Sequence, residues 1–363
     1  MGKSSGKILI QEIFERRNET CGFWLGNPTV NAKKIYCDHF GIVNNNSEKF
    51  AKREDLILTA DEFDQSDLDL AIKLNSDVIF LPSEPGAWKA PDGRRMWDIS
   101  PGGDESESAG LEILANCENV SELDKYSWPD PGYLDFSATN KLVREADALG
   151  LAVFGGMWCT FFHVAADLLG IENYFVKMHT DPDVVLAVTE RIVDFYLEAN
   201  KRCFDIMGDV LYSSFFGNDF GSQQACMISV PFFNKFIRPY MQKLVDQMKS
   251  YGLKTTMHCC GAIFDLIPQF IEMGIDGLHP LQAKAANMGA EKLVKEFEKD
   301  LIFIGGVDTQ EILPFGTPKQ VADEVKRLKD IFGKNFIVSP SHEALLENVP
   351  IENVIALSEA ARL

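Results

Sequence analysis

Short apolar runs recur along this chain, each ending at Gly or Pro and giving way to a longer stretch with helical spacing. The runs are 77–82 (DVIFLP), 151–157 (LAVFGGM), 209–215 (DVLYSSF), 253–258 (LKTTMH), 275–280 (IDGLHP), 301–306 (LIFIGG) and 335–340 (NFIVSP). Most are apolar without strict alternation, the pattern of strands buried on both faces. The stretches 181–207, 231–251, 262–274 and 317–332 read as helices between them. Asp181 and Thr317, each followed by Pro, mark helix starts. A further strand is expected near 21–25 (CGFWL). Strands alternating with helices give a parallel sheet, and a count near eight over 363 residues predicts a single (β/α)8 TIM-type barrel spanning residues 1–363. The segment 85–137, rich in Pro, Gly and Asp, is too long for a simple loop. It reads as an insertion after an early strand, either over the barrel mouth or as a surface excursion.

Composition narrows the partners. A net charge of −19 weighs against nucleic acid, because phosphate binding needs clustered Lys and Arg. No apolar run approaches the roughly 20 residues of a membrane span. The first residues lack an apolar signal core, so a cytoplasmic protein is expected. Eight unevenly spaced cysteines are not a disulfide framework, and six of them (Cys21, Cys37, Cys117, Cys159, Cys203 and Cys226) read as reduced core thiols. Both a monomer and an oligomer are compatible with the sequence.

In a barrel of this kind the active site lies at the C-terminal ends of the strands. Polar residues collect there: Asn218-Asp219 to Gln223, His258-Cys259-Cys260-Gly261, His279-Pro280-Leu281-Gln282, Asp308-Thr309-Gln310 and Ser341-His342-Glu343. His258 and Cys260, one residue apart, can leave a strand end on the same side, and imidazole and thiolate are common zinc ligands. His342, at the last strand end, would make a third ligand and leave an open fourth position, the pattern of a catalytic zinc. The plainer alternative is a hydrogen-bonded core histidine beside inert cysteines. If the strand ends one residue earlier, Cys259 is the ligand and Cys260 the core thiol.

The stretches NDFGSQ (218–223), MHCCG (257–261), DGLHPLQ (276–282), FIGGVDTQ (303–310), LPFGTP (313–318) and SPSHEALLENVPIENV (339–354) resemble the uroporphyrinogen decarboxylase superfamily. WPDP (128–131) and PDGRRMW (91–97) resemble it too, so the likeness covers roughly the last two-thirds of the chain. One branch of that superfamily decarboxylates a tetrapyrrole without a cofactor. The other exchanges methyl groups with a corrinoid and holds zinc through H-x-C and a later Cys. His258 and Cys260 match the H-x-C, which favours Cys260 over Cys259, and His342 stands where the late Cys is expected. The decarboxylase branch carries an arginine-rich N-terminal motif. The comparable stretch here, 19–28 (ETCGFWLGNP), is nearly uncharged, with Arg16 and Arg17 just before it.

The resemblance therefore implies a zinc-dependent methyltransferase or demethylase acting on a small methylated compound, with a corrinoid carried on a partner protein. Its metal ligands would be His258, Cys260 and His342. Asp219, Asp308 and His342 would act in catalysis, and Gln223, Gln282 and Trp24 would contact substrate, with Trp88 and Trp97 as further aromatic residues for the mouth. Asp308 has a plainer role open to it as a helix cap, and the tryptophans as packing. A cofactor-free lyase of tetrapyrrole biosynthesis and a non-catalytic ligand-binding barrel are the alternatives.

Overall fold

The computed structural model describes residues 5–44, 63–83, 91, 96–98 and 112–363. Ten strands occur among them: β1 (Gly22–Phe23), β2 (Asn27–Pro28), β3 (Val78–Pro82), β4 (Ala152–Gly156), β5 (Leu211–Gly217), β6 (Lys254–His258), β7 (Gly277–His279), β8 (Ile302–Val307), β9 (Phe336–Pro340) and β10 (Ala344–Leu345). Eight form one parallel sheet in the order β1-β9-β8-β7-β6-β5-β4-β3, and β2 pairs separately with β10. Every run expected from the sequence is a strand of the large sheet, and helices surround it as in a (β/α)8 barrel.

The seam between β1 and β3 is joined partly by side chains. Asp77 donates its N–H to the Phe23 carbonyl at 2.7 Å, and its carboxylate accepts the Phe23 N–H at 2.8 Å. Ser76 accepts the Leu25 N–H at 3.1 Å. Arg362, at the end of the last helix (Ile351–Arg362), sits 2.8 Å from the same Asp77 carboxylate.

Two apolar clusters follow from this closure. The smaller fills the barrel: Ile10, Ile13 and Phe14 of helix Gly6–Phe14 pack with Val78, Phe80, Phe154, Ile304 and Ile337, below Trp24 and Phe215. The larger lies between strands and helices. Phe215 links core to mouth, with ring contacts to Phe80, Trp24, Trp158 and His279 at 4.7–5.7 Å.

The expected helix starts are present. Helix Pro182–Met207 begins after Asp181, and Thr317 caps Pro318–Phe332 in a reciprocal pair with Gln320. The stretch 231–251 is two helices, Val230–Phe236 and Arg238–Ser250. Pro239 has no N–H to continue the first ladder, so the chain restarts there. The described part of the 85–137 segment packs on the barrel's flank. Trp97 meets Phe195 at 4.8 Å, and Arg191 lies over Trp128 at 5.4 Å. Trp88 and the remainder of that segment up to residue 111, apart from 91 and 96–98, lie outside the described residues. No helix among the described residues is long and apolar enough to cross a membrane.

Candidate metal centre

Parallel register sets the site. His258 at the end of β6 lies level with Gly217 of β5 and His279 of β7, which places two histidines side by side at the mouth. The loops beyond then lock together. The Cys260 N–H donates to Asp219 Oδ1 at 2.7 Å, the Gly261 N–H to Gln282 Oε1 at 2.7 Å, and the Cys259 N–H to the His279 carbonyl at 2.8 Å. Gly261, at φ +87°, brings this loop against Gly221; a Cβ there would sit 2.3 Å from the Gly221 carbonyl oxygen. Only glycine fits that approach.

These contacts separate the two cysteines. Cys260 Sγ lies 3.2 Å from His258 Nε2. Cys259 is fully buried and accepts the Phe220 N–H at 3.4 Å. Burial, reinforced by the negative charges of Asp219 and Glu343, pushes the Cys260 thiol well above its usual range. A thiol held neutral in this way ionises when a cation compensates its charge.

His342 completes a group with His258 and Cys260, one donor atom from each lying within 4.8 Å of the others. Its Nδ1 accepts the Ala344 N–H at 3.1 Å. Bond lengths of 2.0–2.3 Å in a tetrahedral site put N and S donors roughly 3.5 Å apart, close to the His258–Cys260 separation. The donor set therefore fits zinc. A second group, His258, His279 and Glu343, shares the other face of His258. His258 Nδ1 is 3.1 Å from His279 Nδ1 and 3.4 Å from Glu343 Oε2. Complete burial drives the His279 pKa well down, so that ring is neutral.

The other expected residues divide. Asp219 and Gln282 hold the 260–261 backbone, as above. Asp308 is buried and accepts the N–H groups of Gln310, Glu311 and Ile312 at 3.0–3.2 Å, which closes the turn that leads into the short helix Ile312–Phe315. It also lines, with Gln282, Lys284, Ser341 and His342, a cavity of about 250 Å³. Gln223 is exposed, and its backbone carbonyl accepts the Ala286 N–H. Trp24 is buried inside the barrel, 4.9 Å from the His279 ring, and Trp97 is packing. Arg16 donates to the carbonyls of Glu298 and Leu301, before β8 begins, at the opposite end of the barrel from the site.

Three site residues were absent from the expected ligand and contact set. Trp158 follows β4 and packs 5.2 Å from His258. His279 and Glu343 were visible only as members of polar strand ends; what assigns them is the β6–β7 register and the loop after β9.

The chain is similar in sequence to known methyltransferases. A methylcobamide:CoM methyltransferase, MtbA, of Methanosarcina acetivorans is 24% identical over 219 residues, 60% of this chain and 61% of that protein. A methylated-thiol–coenzyme M methyltransferase of Methanosarcina mazei is 24% identical over 209 residues, 55% of this chain and 50% of that protein. The alignments thus span about three-fifths or less of these relatives' length. A solved methyltransferase from Methanosarcina mazei shares the fold, with a TM-score of 0.64 at 14% identity over 99% of both chains. The model of the uroporphyrinogen decarboxylase (URO-D) family matches residues 110–363, and the chain belongs to that family.

Proposed function

We propose that this chain is a corrinoid-linked, zinc-dependent methyltransferase or demethylase that acts on a small methylated compound. The observation that carries the reading is the meeting of Cys260 Sγ and His258 Nε2 at 3.2 Å with His342 alongside. Zinc held by these three residues would supply a Lewis acid that stabilises a substrate thiolate or polarises a methylated ether or amine. The relatives named above, a methylcobamide:CoM and a methylated-thiol–coenzyme M methyltransferase, support methyl transfer with a corrinoid as partner.

The chain's own residues prepare the site. Asp219 and Gln282 clamp the backbone at 260 and 261, so that Cys260 keeps its direction. Trp158 and Phe215 wall His258 on its apolar side and keep water from it. The cavity that His342 lines, at about 250 Å³, is just under the usual range of ligand pockets and suits a small substrate. The decarboxylase alternative lacks support from Arg16, which is engaged at the other end of the barrel.

The test has two parts. Purified protein should contain about one zinc per chain by elemental analysis. It should also methylate free cob(I)alamin from at least one member of a panel of methyl thiols, ethers and amines. Metal-free protein that turns over a tetrapyrrole would favour the lyase, and tight ligand binding without turnover would favour the binding barrel.

A further inference from the structure

A neutral imidazole carries its proton on one nitrogen and offers the lone pair of the other, so a histidine ligand works only in the right tautomer. Resting on the reading of His258 as a ligand through Nε2, we propose that Glu343 is the positioning residue that selects this tautomer, against a competing contact from His279.

Two arrangements suit the contacts of His258. In one, the proton is on Nδ1, on the side of Glu343 Oε2 at an ion-pair distance of 3.4 Å, and the Nε2 lone pair faces Cys260 Sγ. In the other, His279 donates from Nδ1 to His258 Nδ1 across 3.1 Å. The His258 proton then sits on Nε2, where a cation would have to displace it. His279 favours the second arrangement. Its Nε2 is buried without a partner among the described residues, and leaving a buried N–H unsatisfied is the harder case.

Glu343 opposes this. Its Oε2 is also buried and, among the described residues, accepts no hydrogen bond of ordinary geometry, lying 3.4 Å from His258 Nδ1 and 3.5 Å from His342 Nδ1. A small turn of either side chain would let a proton on His258 Nδ1 give that oxygen its donor, and a charge-assisted bond is roughly twice as strong as a neutral one. Asp219 stands on the Nε2 side at 3.5 Å and pulls the proton the wrong way. It pulls less, because its Oδ1 already accepts the Cys260 N–H and its side chain is 37% exposed, against 15% for Glu343. Glu343 decides the balance.

The test reads the tautomer directly, on metal-free full-length protein with 15N-labelled histidine. The six histidines are few enough for His258 to be assigned by its loss in His258→Gln. Wild type should show His258 protonated on Nδ1. In Glu343→Leu the proton should move to Nε2, and zinc affinity by chelator competition should fall about 10- to 100-fold, the usual effect of losing a histidine ligand's outer partner. Glu343→Gln keeps an acceptor oxygen and should restore both readouts. His279→Phe should leave the proton on Nδ1, and this second variant keeps the proposal testable if Glu343→Leu does not fold.

An unchanged His258 pattern in Glu343→Leu overturns the proposal, as does loss of the Nδ1 proton in His279→Phe. Failure of the metal reading looks different: wild type would bind no zinc whichever nitrogen of His258 carries the proton.

Discussion

Cys259 and Cys260 share a backbone turn but face different surroundings. One sulfur is enclosed against Phe220, and the other looks onto His258. Cys260→Ser is therefore expected to lose bound zinc by elemental analysis, beyond the roughly 10- to 100-fold cost of an outer-partner change. Cys259→Ser should keep its metal and lose about 1 kcal/mol of stability in urea, because a hydroxyl replaces a buried thiol. Metal loss only in Cys259→Ser would reverse the assignment. At this scale the sequence was informative where chemistry is carried by residue type. H-x-C with a late histidine at another strand end picks out a set that the fold does bring together. It placed His279 and Glu343 at polar strand ends without giving either a part, because the part of His279 depends on facing His258 across a strand pair and that of Glu343 on how a loop turns.

At the scale of elements, His342 and Glu343 owe their position to a two-residue pairing. β2 and β10 join the first loop of the barrel to the last, and the Asn27 N–H donates to the Glu343 carbonyl at 2.7 Å. Gly26 permits this approach. Its φ is +84°, and a Cβ would sit 2.6 Å from that same carbonyl oxygen. Gly26→Ala should push the 342–343 loop away from His258. The expected result is lower zinc affinity with the fold retained, measured by chelator competition beside circular dichroism. Unchanged affinity would mean that the loop holds its place without this pairing. Two-residue strands have no periodicity to read, so this pair was hidden in the sequence. The eight signals of the large sheet were visible because most of their runs are apolar on both faces, whereas spacing alone joined the two helices that meet at Pro239.

Closure of the whole barrel rests on Asp77, which bonds β1 to β3 and receives Arg362 from the last helix. Asp77→Ala leaves the Phe23 N–H without its acceptor in a buried seam and is expected to cost about 2–4 kcal/mol, read as a lower urea midpoint. The molecule closed in this way carries 54 acidic against 35 basic residues, a net −19. Some of its surface ion pairs, such as Lys34–Asp38 and Lys319–Asp323, are exposed neighbours along a helix, each worth only about 0.3–0.5 kcal/mol, and exposed pairs between elements, such as Arg144–Asp209, add little more. Repulsion among the unpaired carboxylates acts over distances comparable to the Debye length, so salt weakens it along with those pairs. With the excess charge so one-sided, the loss of repulsion should dominate. Raising sodium chloride from about 10 to about 150 mM shortens the Debye length from roughly 30 to 8 Å. The melting temperature should rise over that interval by calorimetry. A fall would show that the ion pairs outweigh the net charge, and would make the surface network, not the core, the place to look for this barrel's margin of stability.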